Sequence, residues 1–168
     1  MLTREDILQE LDQEAAVTRR VLERVPEDKL DWRPHEKSFS LGQLAMHVAT
    51  IPGALTQVST ETAFNVKGRN VPRPSASSRV ELLGALDQSL EQARELLGSM
   101  DSESLAAPWK MVDGDRVLLT IPRAAFLRRI MLNHWYHHRG QLTVYLRQTG
   151  ALVPGVYGPS ADEAPVLG

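Results

Sequence analysis

The residues with the clearest capacity for chemistry are five histidines, in a chain that contains no cysteine. His134, His137 and His138 fall close together, whereas His35 and His47 lie far upstream. Without cysteine there is no thiolate nucleophile, disulfide, iron–sulfur cluster or cysteine-rich zinc site. A metal site in this chain would therefore use histidine, carboxylate, carbonyl or water ligands.

His134 and His138 are spaced to lie one turn apart on the same face of a helix. At about 100° per residue, the same arc of roughly 80° contains four apolar side chains, which are Leu127, Met131, Leu142 and Tyr145. The Cβ atoms of the two histidines should be about 6 Å apart, which lets both imidazoles bind one metal ion. His137 falls at the edge of this arc.

His47 lies between Leu44 and Ile51 on the inward stripe of another predicted helix. Because facing helices in a bundle are roughly 8–10 Å apart, its imidazole could complete a three-histidine set. Three histidines on two helices, with positions left open, are typical of a catalytic metal site. The alternative is a buried polar cluster in which each ring is hydrogen bonded. His35 and His137 are expected at the surface or beside the ligands.

Four amphipathic segments are predicted to form the helices that position these histidines. The first covers about 4–24, with Thr3 as its N-cap, and the second begins at Ser40 with a capping box. Pro52 should end or kink the second helix. The third begins near Ser78, where a further capping box is predicted.

The fourth predicted helix runs over about 121–148, with Thr120 as its N-cap and Gly150 as its C-cap. A Pro/Ser-rich tract at 67–78 predicts a loop, and Asp113-Gly114 predicts the turn of a small hairpin. These patterns favour an all-α protein, a four-helix bundle forming a single domain over 1–168.

The composition indicates a globular protein whose main task is not to bind polyanions. Of 168 residues, 42% are hydrophobic and 24% are charged, and the formal net charge is −2. That charge argues against nucleic acid or an anionic membrane as the main partner. No signal peptide or transmembrane run is apparent, so the cytoplasm is the expected compartment.

Three segments resemble motifs of a known family. The sequence NHWYHHRGQL at 133–142 resembles the C-terminal signature of the DinB/YfiT-like family. The tail VPGVYGPSADE at 153–163 looks like the DinB branch, and FSLGQLAMH at 39–47 is similar to the family's first metal motif. The motifs occur in the family's order and spacing, and together they cover the whole chain.

The resemblance implies an antiparallel four-helix bundle, usually dimeric, with a divalent metal held by three histidines. Carried over by position, the metal ligands are His47, His134 and His138. Zinc or nickel is the expected ion, ahead of iron or manganese. Some members of the family transfer low-molecular-weight thiols such as bacillithiol, mycothiol or glutathione, and one branch isomerises maleylpyruvate.

The leading hypothesis is a metal-dependent transferase of low-molecular-weight thiols, or a hydrolase, acting on a small electrophilic substrate. The alternative is a non-catalytic, dimeric metal-binding protein of the stress response. DNA binding is a third hypothesis, which the charge balance disfavours. No general base is evident. Candidates for a role beside the metal or in the pocket wall are Asn133, Gln141 and Tyr145. Arg139 and Arg147 are expected to form salt bridges, and Asp162 and Glu163 are expected in solvated or capping positions.

Overall fold

The computed structural model describes residues 2–70 and 72–164, most of which lie in helices. Three long helices come first, α1 (Arg4–Leu22), α2 (Leu41–Thr60) and α3 (Arg79–Gly98). A short strand, β1 (Ala63–Asn65), separates α2 from α3. The short helix α4 (Ser102–Ala106) precedes a hairpin formed by β2 (Pro108–Asp113) and β3 (Arg116–Pro122).

The last helical segment is not uniform. It begins with α5 (Arg123–Phe126), continues as a π-helical segment (Leu127–Leu132) and ends with α6 (Asn133–Gln148). Helical segments at these positions confirm the predicted helical fold.

Side-chain caps fix where the first three helices begin. The Thr3 hydroxyl accepts the backbone N–H of Asp6, whose carboxylate accepts the N–H of Thr3 in return. Ser40 and Gln43 form the same reciprocal box at α2. At α3 the prediction is half right. Ser78 caps the backbone of Glu81, but the Glu81 carboxylate bonds to Ser77 instead of closing the box.

Pro52 does not end α2, which continues to Thr60. Proline has no N–H, so the carbonyl oxygen of Val48, four residues earlier, loses its normal helical partner. The indole N–H of Trp135 on α6 donates to this oxygen at 2.9 Å. Val48 and Trp135 are both fully buried, so water does not reach the Val48 carbonyl oxygen. The indole N–H therefore takes the place of the missing backbone donor. The helix therefore continues through Pro52 without an unpaired carbonyl at its centre.

We expect Trp135→Phe to lower the free energy of unfolding by about 1–3 kcal/mol, because it leaves the buried Val48 carbonyl without a donor. Pro52→Ala supplies a backbone N–H at the same oxygen. In that background, the same Trp135 substitution should cost about 1 kcal/mol less. Urea unfolding of the two single variants and the double variant measures this coupling. Equal costs in both backgrounds would contradict it.

The last helix begins later than predicted. Thr120 is not an N-cap, because it lies in β3 opposite Lys110 and hairpin pairing extends to Pro122. The backbone N–H of Arg123 donates instead to the carbonyl of Ala107 at 2.9 Å, which ties the start of α5 to the end of α4. At the other end, Gly150 has φ +79°, as expected of a glycine that follows a helix.

The three strands form one small sheet with strand order β1-β2-β3. The predicted hairpin is present, since β2 and β3 pair antiparallel around the turn at Gly114. Strand β1 was not predicted. It pairs parallel with β2, with Ala63 opposite Lys110. The all-α prediction is thus correct for the bundle and incomplete for this sheet.

Helix α2 packs closely against α3 at Gly53. The Gly53 N–H donates to the Ser89 hydroxyl at 2.8 Å, and a Cβ on Gly53 would lie 2.8 Å from the Ser89 carbonyl oxygen. A side chain at this position would therefore push the two backbones apart.

None of the helices in the described residues combines the length and the apolar character that a membrane span requires.

Candidate metal centre

Helices α2 and α6 bring three histidines together. His47 comes from α2, while His134 and His138 stand one turn apart on α6. One nitrogen from each ring lies within 4.8 Å of the others. The ring centroids are 5.2 Å apart for His47 and His134, 4.6 Å for His47 and His138, and 4.5 Å for His134 and His138. The three side chains selected from the sequence thus converge on one point.

Gln141 is hydrogen bonded to one of these rings. The Oε1 atom of Gln141 is 2.9 Å from Nδ1 of His138. In the tautomer that matches this contact, Nδ1 of His138 carries the proton and Nε2 keeps its lone pair. Metal-binding histidines commonly have such a partner on the second nitrogen. Of the three predicted neighbours, Gln141 is the one hydrogen bonded to a histidine of the cluster.

Burial favours the neutral form of all three imidazoles. Burial lowers the pKa of His47 to about 4, and His138, His134 and Arg73 act in the same direction. Burial also lowers the pKa of His134 to about 4, helped by His138 and His137. Burial lowers the pKa of His138 as well, against the opposing hydrogen bond from Gln141. Neutral imidazole is the form that ligates a metal ion.

The donor set fits a divalent ion. The Nε2 atoms of His47 and His134 are 3.1 Å apart. Two nitrogen ligands on one tetrahedral zinc ion, each bonded at about 2.0–2.1 Å, lie about 3.3 Å from each other. Without a shared cation, only one of these two nitrogens can donate to the other. Three half-buried rings with converging nitrogens could therefore hold a common metal ion.

A cavity of about 570 Å³ opens beside the histidines, and His47 and His134 form part of its wall. The rest of the wall is mainly apolar. Its other members are Phe39, Gln43, Thr50, Ile51, Ala54, Leu55, Val58, Phe64, Arg69, Pro72, Arg73 and Pro74. This volume is within the roughly 300–1,000 Å³ that small-molecule sites occupy. The cavity is therefore large enough for a small molecule, with two imidazoles in its wall.

Comparison with known proteins identifies the family. The sequence profile of the DinB family matches residues 1–165. The chain belongs to the DinB family. Protein YrdA of Bacillus subtilis strain 168 is 26% identical over 169 residues, which cover 96% of this chain and 92% of YrdA.

Solved DinB-like structures share the fold. A DinB-like protein from Bacillus cereus ATCC 10987 superposes with a TM-score of 0.72 at 26% identity, over 91% of this chain and 97% of that one. The DinB-like protein YjoA from Bacillus subtilis gives a TM-score of 0.63 at 22% identity, over 86% and 91% of the two chains. These neighbours support the helical fold of this DinB-family chain.

The other sequence candidates of this DinB-family protein are not members of the three-histidine cluster, although the His137 ring centroid lies 4.8 Å from that of His138. Asn133 is exposed and accepts a hydrogen bond from Arg128, and the Tyr145 hydroxyl donates to the Phe39 carbonyl at 3.4 Å. His35 and His137 are exposed. The salt bridges expected of Arg139 and Arg147 are present, with Glu14 and Asp162 as their partners. Glu163, expected in a solvated or capping position, instead pairs with Arg20 and Arg24.

The sequence did not indicate three further residues of the site. Phe39 lies 5.7 Å from the His47 ring and 6.4 Å from the His138 ring, between centroids, and shields both. Arg69 and Arg73 come from the loop at 67–78, which has no periodicity to show where its side chains point. Phe39 is the first residue of the segment at 39–47 that resembles the family's first metal motif, and this position is the one signal that could have suggested its role.

Proposed function

We propose that this DinB-family protein binds one divalent metal ion through His47, His134 and His138 and uses it in a reaction on a small molecule. The observation that carries the proposal is the placement of the three-histidine cluster at the wall of the apolar cavity. A purely structural metal site would be closed by a fourth protein ligand. Among the described residues, the cluster contains no fourth histidine or carboxylate.

Zinc and nickel are the ions we favour, ahead of iron and manganese. Three imidazoles are nitrogen donors of the kind that these two ions prefer, whereas manganese favours carboxylate and carbonyl oxygens. Because the imidazoles are neutral, the site keeps the full charge of a divalent ion. That charge favours an anionic ligand in an open position.

The chemistry would be transfer of a low-molecular-weight thiol, or hydrolysis. When bound, a divalent ion lowers the pKa of a coordinated thiol or water and so provides a nucleophile at neutral pH. Since the chain has no cysteine, the thiol must come from a small molecule. The family resemblance supports bacillithiol, mycothiol or glutathione as its chemical type, and an electrophile as its partner.

The chain's own residues supply position and environment. The hydrogen bond to Gln141 at Nδ1 of His138 favours the tautomer in which Nε2 has a free lone pair for a metal ion. Phe39 and the apolar cavity wall reduce access of water, which strengthens electrostatic interactions inside. The Thr50 hydroxyl is not a free nucleophile, because it donates to the carbonyl of Met46 at 2.9 Å. Within the described wall there is no carboxylate to serve as general base.

Metal analysis of untagged protein, purified without added metal, tests the binding step. We expect about one divalent ion per chain, absent from His138→Ala and retained by His137→Ala, whose ring is exposed. Metal-loaded protein is then assayed with each thiol and a panel of electrophiles, with His138→Ala as the control. No metal after reconstitution with zinc and nickel would refute the proposal.

The alternative, a non-catalytic metal-binding protein, gives a different result. It predicts the same metal content, and a lower melting temperature on metal removal, but no binding of thiol or electrophile. The homodimer that the family resemblance implies is a further proposal, which analytical ultracentrifugation of metal-loaded protein tests.

A further inference from the structure

Two arginines of the loop at 67–78 stand in the cavity wall. The Arg69 guanidinium carbon lies 4.1 Å from the centre of the Phe64 ring, and that of Arg73 lies 4.8 Å from the centre of the Phe39 ring. Both phenylalanines also line the cavity. Stacking on these rings holds the two positive charges beside the apolar chamber.

Neither arginine is neutralised by an acidic side chain. In the described part of the chain, Arg69 and Arg73 form no ion pair, whereas arginines elsewhere, such as Arg139 and Arg147, do. The cavity wall contains no Asp or Glu. A shallower depression beside it is lined by the same two arginines with Asn70 and Pro72, and it also lacks an acid. A positive site thus lies next to the histidines, although the whole chain has a net charge of −2.

We propose that Arg69 and Arg73 form an anion-binding pair for a substrate with an apolar body and one anionic end group, a carboxylate or a phosphate. The inference rests on the proposed function for its premise that the cavity holds a substrate. A guanidinium stacked on an aromatic ring keeps its N–H edge free, and that edge matches a carboxylate or phosphate in two parallel hydrogen bonds. Lysine would provide the charge without this geometry.

The layout of the cavity orients such a substrate. The arginines hold the anionic end, and the apolar wall of Ile51, Leu55 and Val58 takes the body. His47 and His134 belong to the same wall. The reacting group is then a part of the body that reaches these histidines, while the anionic end selects and positions the molecule.

Binding of hexanoate, hexyl phosphate and 1-hexanol, followed by NMR titration, tests this pair. The three probes share one apolar chain and differ in the end group. We expect the double variant Arg69→Met/Arg73→Met to weaken binding of the preferred anionic probe, hexanoate or hexyl phosphate, by at least about tenfold. Binding of 1-hexanol should change by less than about twofold. Methionine keeps an apolar stem against each phenylalanine. Preference between hexanoate and hexyl phosphate identifies the end group.

The control variant Arg116→Met/Arg129→Met makes the same change in net charge at two exposed arginines outside the cavity wall, and it should leave all three affinities unchanged. An equal loss in this control, an equal loss for 1-hexanol, or no detectable anion binding by the unaltered protein would overturn the proposal. All titrations are repeated in His138→Ala, where direct coordination of the probe by a metal is removed. Anion binding that persists in this variant supports the arginine pair. Absence of metal from the unaltered protein would refute the proposed function but not the arginine pair.

Discussion

Zinc or nickel is expected to raise the melting temperature of the protein by about 5–10 °C when free metal is 100 times its dissociation constant. A ligand that binds only the folded state at this excess stabilises it by about 2.7 kcal/mol, and each kcal/mol corresponds to about 2–4 °C in a chain of this size. The three histidines converge only in the folded chain, because His47 lies 87 residues before His134. Metal binding and folding are therefore coupled.

Loss of one ligand should remove most of this shift. We expect His134→Ala to weaken metal binding by at least about 100-fold, above the roughly 10–100-fold typical of losing an outer hydrogen-bond partner. At the same metal concentration, the remaining stabilisation is about 0.4 kcal/mol, or about 1 °C. Gln141→Ala, which removes the partner of His138 Nδ1, should give an intermediate shift.

Differential scanning fluorimetry with and without metal measures these shifts. His137→Ala is the matched control, since its ring is an exposed neighbour on the same helix. A full shift in His134→Ala, or a lost shift in His137→Ala, would show that the metal binds elsewhere on the chain.

Arg139→Met is expected to lower the free energy of unfolding by about 3–5 kcal/mol, the cost of breaking a buried ion pair. The Arg139 side chain is 1% exposed, and its Nη2 lies 2.6 Å from the Glu14 carboxylate. Its Nη1 donates to the carbonyl of Glu14 and to the hydroxyl of Thr18, which is fully buried. Methionine fills part of the space but leaves the Glu14 carboxylate, with only 13% of its side chain exposed, without its cation.

Arg147→Met is the control for this prediction. Arg147 lies on the same helix and pairs with Asp162 at 2.6 Å, but its side chain is 49% exposed, against 1% for Arg139. The Asp162 side chain is 17% exposed, and its carboxylate also accepts the backbone N–H of Val153, a donor that it keeps in this variant. A pair with a solvent-exposed arginine contributes less than about 1 kcal/mol, so this variant should unfold at nearly the unaltered denaturant concentration. Guanidinium unfolding of both variants measures the difference. Similar costs for the two would mean that burial does not govern the strength of the Arg139 pair.

The histidine cluster was more predictable from the sequence than the residues around it. The reason is that two of its histidines are close in the sequence, whereas the surrounding contacts join distant segments. The pairing of His134 with His138 follows from spacing within one helix, which is a local property. His47 was found because it lies on an inward stripe and because its motif resembles that of a family. The arginine pair was missed, because only the folded chain shows which rings Arg69 and Arg73 stack on.

Errors in the predicted fold arise where a distant contact outweighs a local signal. Proline at position 52 predicts an end or a kink, but the indole of Trp135, from another helix, satisfies the free carbonyl of Val48. Thr120 is a good N-cap residue, but it lies in β3 and pairs with Lys110 of β2. Strand β1 has only three residues and depends on pairing with β2, so no periodic pattern can show it.

The π-helical segment over Leu127–Leu132 determines where relatives of this chain can differ in length. A π turn is equivalent to an α-helix with one residue inserted. Deletion of one residue there would restore an ordinary α-helix. The residues before and after the deletion would still face the same sides of the helix. Deletion of one residue between His134 and His138 would rotate one ring by about 100° relative to the other and end their convergence. Alignment gaps within this helix should therefore fall before Asn133, and the histidine spacing after it should be constant.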